Sequence, residues 1–262
     1  MKLFEFGYLF AEPFLPPLMK QVRRRLLDVS QGNPQTLRIL DVGGRKSHYT
    51  IGVPGDVTIT DLPRESDLQK ELNLGINDGI IQQTARRRSN VHQVLFDDMT
   101  RSKLPDSSFD CVVAVEVLEH VEQDADFVSE VRRVLKPEGV FLMTTPNGDF
   151  LKIPNRDHKR HYRRHHLRDL LARFFDDVEV EYAVCGGRYR SWGLMGWSVS
   201  RPHRTALSMF GNVVNTIQSR GQAIKQEPNG THNLIAMARK KASSDLRGET
   251  NNAELRFSRK AS

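Results

Sequence analysis

Apolar residues in this chain fall into short unbroken runs separated by stretches with helical spacing. Leu37–Leu40, Val57–Thr60, Val91–Phe96, Cys111–Val115 and Val140–Thr144 read as strands, and Cys111–Val115 is apolar throughout, as a strand buried on both sheet faces should be. Between them, Leu18, Val22, Leu26 and Val29 form one helical stripe, with Arg23–Arg25 mostly off it. Over residues 119–135, Val121, Ala125, Val128, Val131 and Leu135 form another, and Lys136-Pro-Glu-Gly139 reads as a stop and turn. A helix over His166–Phe175 precedes the alternating run Val178–Val184, and His232–Ala238 is the last strand-like segment.

Strands alternating with helices predict an α/β fold, a doubly wound parallel sheet with helices on both faces. Residues 1–36 read as an N-terminal helical extension, 37–240 as the main domain, and 241–262 as a polar tail with almost nothing to bury, expected to be disordered. An insertion over 185–231, before the last strand, is far longer than a hairpin needs. Ligands in such folds bind beyond the carboxyl ends of the strands. The polar residues there are Asp41, Asp61, Asp97 with Asp98, Glu116 and Thr145, so four tips carry an acid.

Composition narrows this picture a little. A chain of 262 residues suits one α/β domain with additions. Two cysteines, Cys111 and Cys185, make neither a disulfide framework nor a cysteine metal site, and their reduced state favours the cytoplasm. A net charge of +7 permits nucleic acid, phosphorylated substrates or an anionic membrane face without demanding them, since 32 acids remain. No apolar run reaches the ~20 residues of a spanning helix. The aromatic N-terminus, broken by Glu5, Glu12 and prolines, lacks a signal peptide's basic start; peripheral membrane contact is open to it.

A nicotinamide dinucleotide would need Gly-x-Gly-x-x-Gly after the first strand, whereas Gly43-Gly44-Arg45-Lys46-Ser47 fails that pattern. A ring of carboxylates also repels a diphosphate, so the ligand expected is cationic or rich in hydroxyls. The runs ILDVGG, LPDSSFDCVVAVEVLEHV and VRRVLKPEGVFLMTTPN, with an acid twenty positions after the first, resemble the class I S-adenosylmethionine-dependent methyltransferases of the type 11-like group. The resemblance covers residues 37–150, and more weakly 158–182. It implies a Rossmann-like, mainly parallel sheet with a final antiparallel strand, and S-adenosylmethionine as cofactor. It implies that Asp41, Gly43 and Gly44 flank the amino-acid end of that cofactor and that Asp61 accepts from both ribose hydroxyls. By the same resemblance Asp98, or Asp97 one residue earlier, holds the adenine amine, Met99 packs on the ring, and Glu116 lines the methionine and sulfonium region.

The loop departs from the family's later glycines, and Arg45 would bring a charge close to a sulfonium. Tyr49 to Asp56 is too short for a crossover helix, which removes the need for a third glycine. In-line methyl transfer to a hydroxyl also needs a base, for which His120 comes first, with His158, His161 and Tyr162 behind it. The run HKRHYRRHH has no carboxylate or cysteine at ligand spacing, so no metal is expected. Within the insertion, Trp192 and Trp197 lie between glycines, as in a mobile lid or as part of a core helix and its loop. The acceptor expected is an oxygen or nitrogen of a small molecule or saccharide. The alternatives are an RNA methyltransferase, less favoured without a base-flipping run, and a cofactor-binding module without catalysis. Oligomeric state is not legible.

Overall fold

The computed structural model describes residues 2–31, 36–44, 47–64, 75–151 and 158–241. Arg45 and the expected disordered tail from residue 242 lie outside the described residues. Seven strands make one sheet: β1 (Arg38–Val42), β2 (Asp56–Asp61), β3 (Val91–Phe96), β4 (Phe109–Val115), β5 (Leu135–Pro146), β6 (Asp177–Cys185) and β7 (Thr231–Arg239). Their order is β3-β2-β1-β4-β5-β7-β6, and β7 runs antiparallel to both of its neighbours while the β3–β5 pairings are parallel. The helices are α1 (Leu3–Ala11), α2 (Pro17–Gln31), α3 (Asp78–Arg87), α4 (Asp124–Val134), α5 (Arg164–Ala172), α6 (Arg188–Gly193) and α7 (Pro202–Gln218).

Alternation along the central strands builds two cores. Leu40, Val112, Ala114 and Phe141 face α4 and α5, meeting Phe127, Val131, Leu167 and Leu171. Ile39, Cys111, Val113 and Leu142 face the other way, onto Leu18, Val22 and Leu26 of α2. The chain from residue 47 to 55 makes only turns, so among the described residues no α-helix lies between β1 and β2. The N-terminal helices fill that space: the buried Glu5 of α1 accepts from the Ser89 amide at 2.8 Å, and Arg23 of α2 donates to the carbonyls of Tyr49 and Ile51.

Two expectations are corrected. Lys136–Gly139 is not a free turn before a strand: β5 already begins at Leu135 and absorbs the turn as a register shift opposite Phe109 and Cys111, with Glu138 at φ +62°. His120 ends a short 3-10 turn, Leu118–His120, and α4 starts only at Asp124. The insertion between β6 and β7 holds a packed pair of helices, α6 and α7. A Cβ on Gly211 of α7 would lie 2.8 Å from the Tyr189 carbonyl and 2.9 Å from the Gly193 amide, so only glycine lets α6 and α7 approach this closely. Asn212 of α7 then ties the pair down, donating to Gly193 O at 3.1 Å and to Phe14 O at 2.9 Å, and the Trp197 indole N–H donates to Ser208 at 3.2 Å.

Candidate active site at the carboxyl ends of the strands

Gly43 follows β1 with φ +68°, and a Cβ there would lie 2.8 Å from a methyl of Val117. Both conformation and space require glycine at this position. At Gly44 a Cβ would meet the Asp41 carboxyl at 2.2 Å. That contact shows where Asp41 points. Its carboxylate is folded under the loop and fully buried, accepting from the Tyr49 hydroxyl at 2.7 Å and from Thr50 at 3.3 Å. Burial raises its pKa to about 6, against the pull of Ser47, Tyr49, Arg88 and Thr50. Arg88, also buried, donates to Ser47 O at 3.1 Å and to the Thr50 hydroxyl. Asp41 therefore shapes the loop from beneath and does not present a carboxylate to a ligand ammonium.

The next two tips carry Asp61 and the Asp97–Asp98 pair. Asp61 ends β2 half-buried, and one of its oxygens accepts from the Leu62 amide at 2.8 Å. Past β3, Asp97 and Asp98 separate clearly. Asp98 is occupied by its own loop, accepting from the Thr100 amide at 3.0 Å, the Thr100 hydroxyl at 2.7 Å and Arg101 at 3.2 Å. Burial opposes its ionisation, but these donors outweigh burial and hold its carboxyl below the ordinary range. Asp97 accepts from the Lys103 amide through Oδ1, at 3.0 Å, while its Oδ2 is buried with no hydrogen-bond partner. Of the two, Asp97 has the spare acceptor, which reverses the order expected from sequence. Met99 is buried in the core cluster with Leu118 and Phe109 and offers no free face.

At β4 the chain turns sharply. Glu116 sits at φ +55°, a conformation a residue with a side chain adopts at a cost of about 1–3 kcal/mol. It is fixed there by its own amide donating to Thr144 O at 3.1 Å, by the Thr144 hydroxyl at 2.9 Å, and by Asn233 of β7 at 3.3 Å to each oxygen. Burial pushes its carboxyl up, while Thr144, Asn233 and the charge of Arg190 pull it down. Arg190 comes from α6 in the insertion; burial lowers its pKa and Glu116 counters that. His232 is pushed down to about 4 by burial and then by Arg190.

The candidate bases divide. His158 Nδ1 lies 3.0 Å from His161 Nε2, and the rings of His120 and His158 meet edge-on at 4.8 Å. Tyr162, by contrast, is buried with its hydroxyl donated to Asp124 at 2.8 Å, and burial together with Asp124 raises its pKa, so it is a structural phenol. Sequence reasoning missed Glu119, Tyr49, Arg88, Arg190 and Asn233. Glu119 carried a signal, adjacency to His120, and Tyr49 lies in the loop that follows β1; Arg88, Arg190 and Asn233 reach the site from distant segments.

A family model described as a methyltransferase domain matches residues 57–143. A probable S-adenosylmethionine-dependent methyltransferase of Mycolicibacterium smegmatis is 42% identical over 90 residues, 32% of this chain and 35% of that protein. The chain thus spans about a third of the length of the curated relatives it matches. Among solved structures, a SAM-dependent methyltransferase from Archaeoglobus fulgidus superposes with a TM-score of 0.53 at 18% identity, over 90% of this chain and all of that one. Phosphoethanolamine N-methyltransferase 2 of Haemonchus contortus, with phosphomonomethylethanolamine and S-adenosylhomocysteine bound, gives 0.54 at 16% identity, over 84% of this chain and 53% of that one. At such identities the structural likeness speaks for the fold, and the matched sequence spans the strand-tip acids from Asp61 to Glu116. No described helix is long and apolar enough to cross a membrane. Sheet order and matched sequence agree: residues 57–143 match a methyltransferase domain, on a fold shared with S-adenosylmethionine-dependent methyltransferases.

Proposed function

We propose that this protein transfers a methyl group from S-adenosylmethionine to an oxygen or nitrogen of a small molecule or saccharide. The observation that carries the reading is the buried, unpartnered Oδ2 of Asp97, in line with half-buried Asp61 and Glu116 along the sheet's carboxyl edge. A buried acceptor without a donor is costly, and a ligand amine repays it. Asp61 accepts from ribose hydroxyls, since a carboxylate offers two oxygens. The backbone of Gly43 and Gly44 borders the amino-acid end, with Asp41 beneath as a support. Glu116, held in its strained turn, lines the methionine region.

The cofactor supplies an electrophilic methyl on a positively charged sulfur; the chain's own residues align, desolvate and manage the proton. His120 stands four residues beyond Glu116, and its ring meets that of His158, which contacts His161; we assign the acceptor proton to this group of histidines. The insertion contributes Arg190, a half-buried guanidinium close enough to feel Glu116. That charge favours an acceptor carrying a carboxylate, phosphate or several hydroxyls. The test is transfer of labelled methyl from S-adenosylmethionine across fractionated metabolites, glycans and RNA. Label in an anionic metabolite or glycan fraction supports the reading, and label confined to RNA overturns the acceptor class.

A further inference from the structure

The histidine-rich run at 158–166 lacks a carboxylate at ligand spacing, but the fold supplies one from the tip of β4. Glu119 and His120 close the 3-10 turn after that strand, and the segment bearing His158 is latched to the same turn. The amides of Lys159 and Arg160 donate to the Glu119 carbonyl at 2.7 and 3.4 Å. One carboxylate oxygen of Glu119 and one ring nitrogen each of His120 and His158 consequently lie within 4.8 Å of one another. Glu119 is fully buried; the Thr145 hydroxyl donates to Oε2 at 3.1 Å, and Oε1 has no hydrogen-bond partner. Arg160, the basic side chain nearest in sequence to this latch after Lys159, is drawn to Asp124 at 2.6 Å. A buried carboxylate with an unsatisfied oxygen calls for a positive partner.

We infer that Glu119, His120 and His158 form a binding site for one divalent transition-metal ion of the zinc class. Two imidazoles and one carboxylate suit such an ion, whereas magnesium and calcium take oxygen ligands. His161 acts through His158: the 3.0 Å contact between His158 Nδ1 and His161 Nε2 orients the His158 ring. Three protein ligands leave a coordination position open, as in catalytic and unlike closed structural sites. Because the site begins three residues after Glu116, that open position borders the acceptor, and a hydroxyl bound there is made more acidic; this last step rests on the methyltransferase reading.

Metal binding is tested without the cofactor. Full-length protein stripped with a chelator and titrated with Co²⁺ should bind one equivalent, with visible d–d absorption, displaced by Zn²⁺ and not by Mg²⁺. His120→Ala and His158→Ala should each weaken binding at least tenfold, and His161→Ala about tenfold, the size of an outer-shell loss. Replacing the exposed pair His165 and His166 by alanine, rings 4.0 Å apart on α5, should change it less than twofold. Circular dichroism on each variant separates loss of ligand from loss of fold, and the half-buried histidines carry the test if Glu119→Gln does not fold. No stoichiometric binding by wild-type protein, or undiminished binding by both His120→Ala and His158→Ala, overturns the site. S-adenosylhomocysteine affinity, measured separately, distinguishes failure of this site from failure of the methyltransferase reading.

Discussion

Two buried acids stand at neighbouring strand tips and are used in opposite ways. Asp41, near the end of β1, meets two hydroxyl donors and lies in the field of Arg88, whereas Glu119, just past β4, has one hydroxyl donor and an oxygen with no partner. The β1 side is closed: α1, α2 and Arg88 support a loop whose carboxylate is already satisfied. The β4 side is open, with a strained Glu116, clustered histidines and Arg190 arriving from the insertion. Burial alone therefore does not mark a ligand group at a strand tip. What marks it is an acceptor left without a donor.

The largest expected effect breaks the closed side. Asp41→Ala leaves the Tyr49 hydroxyl buried without its acceptor and the buried Arg88 without its neighbouring negative charge, and should cost about 3–5 kcal/mol of stability. Denaturant unfolding should show that as a lower midpoint with an unchanged slope. A loss below about 1 kcal/mol would mean that Asp41 is not the keystone of this loop.

The next effect separates two adjacent carboxylates. Asp97→Ala should lose about 1–3 kcal/mol of affinity for S-adenosylhomocysteine by calorimetry, the cost of removing a buried acceptor. Asp98→Ala should lose less, because Asp98 is already spent on Thr100 and Arg101. The reverse order returns the adenine contact to Asp98.

Arg190→Ala probes the open side. Cofactor affinity should stay within about twofold while methyl transfer to the acceptor falls about tenfold, equal to about 1.4 kcal/mol in the barrier. Equal losses in both would make Arg190 a cofactor residue.

The smallest effect is one of pH. His232 has a folded pKa near 4 against an ordinary 6.5, so between those values the unfolded chain binds the extra proton. Stability should fall as pH drops through that window and be unaffected above it, by an amount reduced by the ring's partial exposure. Asp41, raised to about 6, acts in the opposite sense, gaining stability as pH falls toward its ordinary 3.8. His232→Asn should remove the first slope and leave the second, as read from thermal unfolding across pH 4–7.

Much of the sheet was legible because its central strands are buried on both faces: β4 spans Phe109–Val115 around the apolar run Cys111–Val115. The doubly wound order and the antiparallel β7 followed from the family resemblance. Helix α3 was not legible, since Ile80 and Ile81 are its main apolar residues and it is started by Asn77 accepting from the Ile80 amide at 3.0 Å. Within the insertion the run ALSMFGNVVNTIQ reads as helical and lies in α7, whereas the short α6 and its packing through Gly211 and Asn212 give no apolar period. At the site, residue types at the tips could be read, but their direction could not. Whether Asp41 faces a ligand or its own loop depends on Tyr49, Thr50 and Arg88, and no local pattern announces that network. Glu119 joined the histidines only because a backbone latch brings residues 158–162 beside β4.

The central claim is that the acids at the strand tips hold S-adenosylmethionine, and a calorimetric titration tests it most directly. Wild-type protein should bind S-adenosylmethionine or S-adenosylhomocysteine at one equivalent, and Asp61→Ala should weaken binding at least fivefold, about 1 kcal/mol. Protein that binds NAD and neither of these ligands, or an Asp61→Ala variant of unchanged affinity, would contradict the account.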